Sequence, residues 1–166
     1  MKIIDELLKE LANEAVTTRK MLALVPMDKL DWAPHEKSMK MGALSTHIAE
    51  LPSWITLGLT TPELDFATMP YEPKIVSNNE QLLQIFETSY ESGKESLSNA
   101  TETDLDGRWL LRTGETIHAD MSKYEIIRHS FSQTAHHRAQ LGVYLRLLNI
   151  PLPGSYGPSA DETTFQ

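Results

Sequence analysis

The segment from Tyr124 to Asn149 is the strongest constraint on the fold, because helical periodicity and clustered side-chain chemistry coincide there. A residue in a helix advances by about 100° around the axis. One mostly apolar side of the segment therefore collects Ile126, Ser130, His137, Leu141, Tyr144 and Leu148. Ser122 and Glu125 have the spacing of a capping box and set the start of this helix. A long helix has to bury its apolar side, so the segment predicts the last helix of a small bundle.

Two side chains on this predicted core side can bind a ligand. His137 lies near the middle of the side, and Gln133 lies at its edge one turn earlier, so both are predicted to point into the bundle. His129 and His136 project further round, towards the polar side that also carries Arg138. A single inward histidine often does no more than hydrogen-bond a neighbour, so His137 alone does not indicate a site.

A second inward histidine, His47, lies in the predicted helix from Met41 to Leu59. Pro52 removes one backbone hydrogen bond and is expected to kink this helix just past His47. The apolar residues that bracket His47 on one face are Ala43, Leu44, Leu51, Trp54 and Ile55. Two inward imidazoles and an amide or a water can supply the three ligands of an open metal site in a bundle. The pattern fits such a site and an ordinary pair of core histidines equally well.

Composition limits the class of protein. A chain of 166 residues is expected to form one domain with its own core. It has no cysteine, which excludes disulfides, thiolate ligands and a cysteine nucleophile. The formal charge of −8 disfavours binding to nucleic acid or to an anionic membrane. The first residues are acidic and amphipathic, unlike a signal peptide, and no apolar run is long enough to span a membrane, so a soluble cytoplasmic protein is expected.

The whole pattern predicts an all-α fold, a four-helix bundle with a long crossover connection. The connector 26–40 contains Trp32, expected to close one end of the bundle, and His35, expected to be solvated. Residues 60–77 form a long loop of the kind that often covers a site. His118 lies in a mixed stretch, 99–121, that could include a short extended piece. The four helices are predicted over residues 2–25, 41–59, 77–97 and 124–149, followed by an irregular tail over 151–166.

Three stretches together resemble a known family: LSTHIAEL around His47, the final helix, and the ending PLPGSYGPSADE. The chain resembles the DinB-like (DNA-damage-inducible, YfiT-like) proteins, four-helix bundles that hold a divalent metal on three histidines. The resemblance implies that His47 is the first ligand, Gln133 the second and His137 the third. Gln133 replaces a family histidine, and its amide is a weaker ligand for Zn or Ni than imidazole. His136 or His129 could replace it only if the helix were rotated by roughly 40–60°.

The resemblance also implies a function. Relatives in this family are metal-dependent transferases and isomerases that use low-molecular-weight thiols, so the expected cofactor is a divalent ion, Zn or Ni, and the expected partners are small molecules. A thiol transferase in stress or detoxification is the first hypothesis. A non-catalytic binding module with a degraded metal site is the second, and a metal-dependent hydrolase, with Glu50 as the nearest candidate base, is the third. The resemblance is compatible with a homodimer, and it identifies no catalytic residue.

Overall fold

The computed structural model describes residues 2–163, and within them it contains five α-helices and three short β-strands. Short 3-10 turns cover Met27–Lys29 and Glu102–Asp106. Met1 and residues 164–166 of the predicted tail lie outside the described residues. Within the described part, no helix has both the length and the apolar character needed to cross a membrane. The elements in chain order are α1 (Ile3–Ala23), α2 (Met41–Glu50), α3 (Ser53–Thr60), β1 (Glu63–Asp65), α4 (Asn79–Asn99), β2 (Arg108–Thr113), β3 (Thr116–Ser122) and α5 (Lys123–Leu147).

The helical bundle is confirmed, but its second member is two helices in series. Pro52 has no N–H to donate, so the helix is interrupted between Glu50 and Ser53 instead of only kinked. Side chains satisfy two carbonyls at the break: Ser53 Oγ donates to Glu50 O at 2.7 Å. Ser130 Oγ, from α5, donates to Leu51 O at 2.7 Å. The break therefore joins α2, α3 and α5 through hydrogen bonds instead of leaving buried polar groups unpaired.

Helix α4 packs directly against this break. A Cβ atom added to Gly93 would lie 2.6 Å from the carbonyl oxygen of Pro52, which is closer than van der Waals contact permits. Ser89, one turn earlier, is also buried on this side. Gly93 is therefore required by the close approach of two backbones, and the helix continues through it to Asn99.

The expectation of an all-α fold is wrong in one respect, because the chain also contains a three-stranded sheet in the order β1-β2-β3. Strand β1 lies inside the predicted long loop and pairs in parallel with β2, while β2 and β3 form an antiparallel hairpin. Gly114 in the hairpin turn has φ of 56°, a conformation that suits glycine. Trp109 of β2 is fully buried and packs with Leu64 and Ile126, which fixes the sheet to the side of the bundle.

The irregular segments pack against the bundle. Trp32, in the first connector, lies edge-on to Tyr144 with ring centroids 5.6 Å apart, whereas His35 is exposed. The tail folds back onto α1 and α5, where Asp161 pairs with Arg146 and accepts a hydrogen bond from the Leu152 N–H at 2.9 Å. Residues 66–77 return from the sheet to α2 and lie over the face of that helix that carries His47 and Glu50.

The contact between Gly93 and Pro52 predicts the effect of adding one methyl group. Gly93→Ala raises helix propensity, yet its Cβ would press on a backbone oxygen, so we expect a net loss of about 1–3 kcal/mol in the free energy of unfolding. Urea denaturation measures this loss. Ser98→Ala, at an exposed position of the same helix, is the control and should change stability by less than about 0.5 kcal/mol. A Gly93→Ala protein as stable as the wild type would contradict the close packing at the break.

Candidate functional site

Two histidines from facing helices meet next to the break. The rings of His47 in α2 and His137 in α5 are perpendicular, with centroids 4.7 Å apart. Two imidazoles bound to one tetrahedral ion with metal–nitrogen bonds of about 2.0–2.1 Å have ring centres ~5 Å apart. Both rings are half-buried. The two side chains are therefore close enough to contact a single ion.

Both imidazoles are neutral near pH 7. Burial is the main cause that lowers the pKa of His47 from 6.5 to about 4, and repulsion from His137 adds to it. Burial also lowers the pKa of His137, partly offset by its hydrogen bond to Gln140, while the charge on His136 lowers it further. Neutral imidazole is the form that donates a lone pair to a metal, so the environment of the pair favours the ligand state.

Gln140 fixes which nitrogen of His137 is available. Nδ1 of His137 lies 2.8 Å from Oε1 of Gln140, and an amide oxygen can only accept, so Nδ1 carries the hydrogen. The neutral ring then has its lone pair on Nε2. A hydrogen bond of this kind orients histidine ligands in many metal sites. Sequence reasoning did not single out Gln140, although its spacing of three residues from His137 on one helix was the available signal.

The other predicted ligands have different surroundings. Gln133 is half-buried, and within residues 2–163 its side chain makes no hydrogen bond. His136 is exposed, with its ring centroid 4.9 Å from that of His137. His129 precedes His137 by two turns, about 12 Å along the axis, and its ring centroid is 6.2 Å from that of Trp54. Across residues 2–163, no group of three histidine, aspartate or glutamate side chains is arranged to bind a metal.

The remaining candidates are occupied elsewhere. His118 lies in the hairpin, where its Nε2 is 2.9 Å from Thr113 Oγ1. Glu50, the candidate base of a hydrolase, has a side chain that is only 15% exposed and that forms an ion pair with Lys74 at 3.4 Å. Tyr71 also donates to Glu50 at 3.3 Å. Its carboxylate is therefore held by the covering segment 66–77.

Tyr71 is the residue of the covering segment that reaches the histidines. Its ring centroid is 5.9 Å from that of His47, in an edge-on arrangement. Burial raises the pKa of Tyr71 to about 12, with a further contribution from the negative charge of Glu50. Tyr71 is thus a neutral hydroxyl at physiological pH, and sequence reasoning missed it because no periodicity marks a residue in a loop.

Arg138 is buried, and its predicted place on the polar side of α5 is wrong. Its guanidinium pairs with the Glu14 carboxylate at 2.7 Å and donates to Thr18 Oγ1 at 3.1 Å, both in α1. The ring of Tyr156, from the tail, lies 5.3 Å from the guanidinium carbon. The tail and α1 together cover this side of α5, so a helical wheel that assumes one buried side misplaces Arg138.

Taken together, the geometry defines a class: helical bundles with a small sheet, in which two neutral imidazoles from facing helices form a candidate metal centre. The match to a family model over residues 1–165 identifies the family, and the chain belongs to the DinB family. This confirms the resemblance noted in the sequence. The chain is also similar to the uncharacterized protein YrdA from Bacillus subtilis (strain 168), with 23% identity over 160 residues, 96% of this chain and 91% of YrdA.

Several solved structures share the fold. A DinB-like protein from Bacillus cereus ATCC 10987 matches with TM-score 0.71 and 19% identity over 93% of this chain and 98% of that chain. YfiT from Bacillus subtilis, described as a probable metal-dependent hydrolase with an unusual four-helix bundle topology, matches with TM-score 0.64 and 12% identity over 89% of each chain. The mycothiol-dependent maleylpyruvate isomerase matches with TM-score 0.59 and 16% identity over 84% of this chain and 60% of that chain.

The lowered pKa of His47 predicts how the stability of the metal-free protein depends on pH. Below pH 6.5 the unfolded chain protonates His47, whereas the folded chain resists protonation down to about pH 4. The free energy of unfolding therefore falls as the pH drops through this window. Between about pH 7 and 5.5, the wild type should lose on the order of 1 kcal/mol more than His47→Phe. Urea denaturation after chelation measures this difference, and His35→Phe, at an exposed site, should retain the wild-type dependence.

The ion pair between Arg138 and Glu14 predicts that removing the arginine alone destabilises the protein more than removing both residues. Arg138→Met removes the cation from a Glu14 carboxylate that is only 13% exposed and leaves it the hydrogen bond from the Tyr156 hydroxyl, so we expect a loss of about 3 kcal/mol in the free energy of unfolding. Adding Glu14→Met should restore much of that loss. The matched control is the more exposed pair Arg19 and Glu87, where Arg19→Met should cost about 0–1 kcal/mol. Equal losses for the two arginines would show that the Arg138 pair is not effectively buried.

Proposed function

We propose that this chain binds a divalent metal ion through His47 and His137, with Gln133 as a weaker third ligand, and transfers a low-molecular-weight thiol to a small molecule. The observation that carries the proposal is the 4.7 Å separation of two neutral imidazoles on facing helices. Zn or Ni is the preferred ion, because imidazole suits both and the set contains no carboxylate.

The residues around the pair have separate tasks in this proposal. Burial keeps His47 and His137 deprotonated, and Gln140 holds the His137 ring with Nε2 free. Tyr71 covers His47 and limits the access of water from that side. A divalent ion with an open position lowers the pKa of a thiol or water that binds it. The protein contributes a partly buried, oriented pair of donors. Gln133 completes the set only weakly, because an amide oxygen is a poor base.

Thiol transfer is favoured over hydrolysis by two observations. The chain has no cysteine, so any sulfur chemistry needs a thiol from solution, and a structural relative is a mycothiol-dependent isomerase. A hydrolase needs a free base near the ion, and Glu50, the nearest candidate, is paired with Lys74 and Tyr71. The description of YfiT as a probable metal-dependent hydrolase supports the metal but leaves the reaction of this chain open.

The second candidate is a non-catalytic binding module, and Gln133 is the feature in its favour. A neutral amide in place of an imidazole reduces the affinity for Zn or Ni, so a chain of this kind could retain the fold without the ion. A role in stress and a homodimer remain expectations from the family resemblance, and a cytoplasmic setting remains an expectation from the composition of the sequence. The net charge of −8 supports a small-molecule partner instead of nucleic acid or an anionic membrane.

Metal analysis separates the two candidates. Purified protein dialysed against Zn²⁺ or Ni²⁺ should retain about one ion per chain, as expected for a single centre. His47→Ala should retain none, because one of the two imidazoles is lost. Gln133→His should raise the affinity by at least about tenfold, since it supplies the imidazole of the family pattern. Elemental analysis and competition with a chelator measure both effects.

His118→Ala is the control for removal of a histidine, because its ring lies in the hairpin and bonds Thr113. It should retain the wild-type metal content. Absence of metal from the wild type and from Gln133→His would contradict the proposed metal site and support the binding module. Retention of metal by His47→Ala would mean that the ion binds elsewhere.

A further inference from the structure

A cavity of about 460 Å³ opens one helical turn beyond His47, between α3, α4 and the covering segment 66–77. Two residues connect it to the histidine pair. Glu50 lies three residues after His47 on α2, and Tyr71 lines the cavity while its ring contacts the ring of His47. We propose that this cavity binds an uncharged aromatic molecule bearing an O–H or N–H donor. This step rests on the proposed function, in which a thiol reacts with a small molecule. The molecule in this cavity is that small molecule, and the thiol is the other substrate.

The walls of the cavity indicate an aromatic ligand. Its volume falls in the range of small-molecule sites, roughly 300–1,000 Å³. Trp54, Phe66 and Tyr71 supply three aromatic rings, and Leu64 and Met69 add apolar surface. Met69 and Tyr71 are about half exposed, at 57% and 48%, although both are large and apolar. Rings that line an open cavity favour a flat apolar group, which can stack on them or meet their edges.

The charges at the rim indicate that the ligand carries no net negative charge. Lys74 is the only cation that lines the cavity within the described residues, and it already pairs with Glu50. Glu72 adds a second carboxylate at the rim. An anionic ligand would face this carboxylate and a cation already paired, so its desolvation would be poorly offset.

Two hydroxyl groups of α4 that line the cavity, those of Thr88 and Ser89, define the polar group that the ligand needs. Thr88 Oγ1 donates to Gln84 O at 2.8 Å, and Ser89 Oγ donates to Ile85 O at 2.9 Å, both within α4. Each hydroxyl has one hydrogen, which is already used, so only lone pairs remain for a ligand. Thr88 and Ser89 can therefore accept a hydrogen bond from an O–H or N–H group, but neither can offer one without breaking a bond inside the helix.

A matched set of probes tests this assignment by isothermal titration calorimetry at pH 7. The probes share a naphthalene ring and differ in their substituent: neutral 2-naphthol, anionic 2-naphthoate, and 2-methoxynaphthalene, which is neutral but has no donor. We expect 2-naphthol to bind one per chain, at least about tenfold more tightly than either of the others. Equal affinity for all three would overturn the assignment, because it would indicate unspecific apolar binding.

Two substitutions in α4 place the binding site. Thr88→Phe puts a ring into the cavity and should weaken 2-naphthol binding by about tenfold or more. Ser98→Phe is the matched control: its hydroxyl also donates to the carbonyl four residues earlier, and its side chain is exposed outside the cavity. It should leave the affinity unchanged within about twofold. Circular dichroism verifies that both variants fold. Unchanged binding in a folded Thr88→Phe protein would overturn the proposal.

Wild-type protein treated with a chelator distinguishes failure of this inference from failure of the proposed function. It should bind 2-naphthol within about threefold of the protein dialysed against Zn²⁺, since the ring walls do not depend on the ion. A wild type that holds no metal, yet binds 2-naphthol with the expected sensitivity to Thr88→Phe, would refute the metal site and leave the cavity assignment standing. A wild type that holds metal but shows no preference for 2-naphthol would refute the cavity assignment and leave the metal site standing.

Discussion

The missing N–H of Pro52 is the constraint on which the rest of the structure depends. It ends α2 and begins α3, and the carbonyls of Glu50 and Leu51 at this break accept hydrogen bonds from Ser53 and from Ser130 of α5. Gly93 allows α4 to approach the same point. The break lies between two features of the site. His47, before the break, contacts α5, and the cavity beside α3 opens one helical turn beyond His47.

Burial determines the chemical state of the histidine pair. Two cationic imidazoles with ring centroids 4.7 Å apart would repel each other in a medium of low polarity, so the pair is held neutral, and Gln140 selects the tautomer of His137. The donors are therefore positioned by packing and hydrogen bonds before any ion arrives. Gln133 is consistent with an uncharged pair, because an amide at that position adds no further titrating group.

The sequence predicted the helices well and the sheet poorly, for a physical reason. Helices depend on contacts three and four residues apart, which the apolar spacing of α1, α4 and α5 displays directly. Strand β1 pairs with β2, whose residues lie some 47 positions further along the chain, such as Glu63 with Leu110. A three-residue strand has no period of its own to detect. Only its distant partner makes it a strand.

By itself, the sequence determined the helical bundle, the family and the inward direction of His47 and His137, because each follows from local periodicity or from a motif. Tertiary structure decided what surrounds them. It buried Arg138 under α1 and the tail, brought Tyr71 over His47, and engaged Glu50 with Lys74. These contacts join segments whose separation along the chain carries no signal, and they form only when the packed bundle brings the segments together.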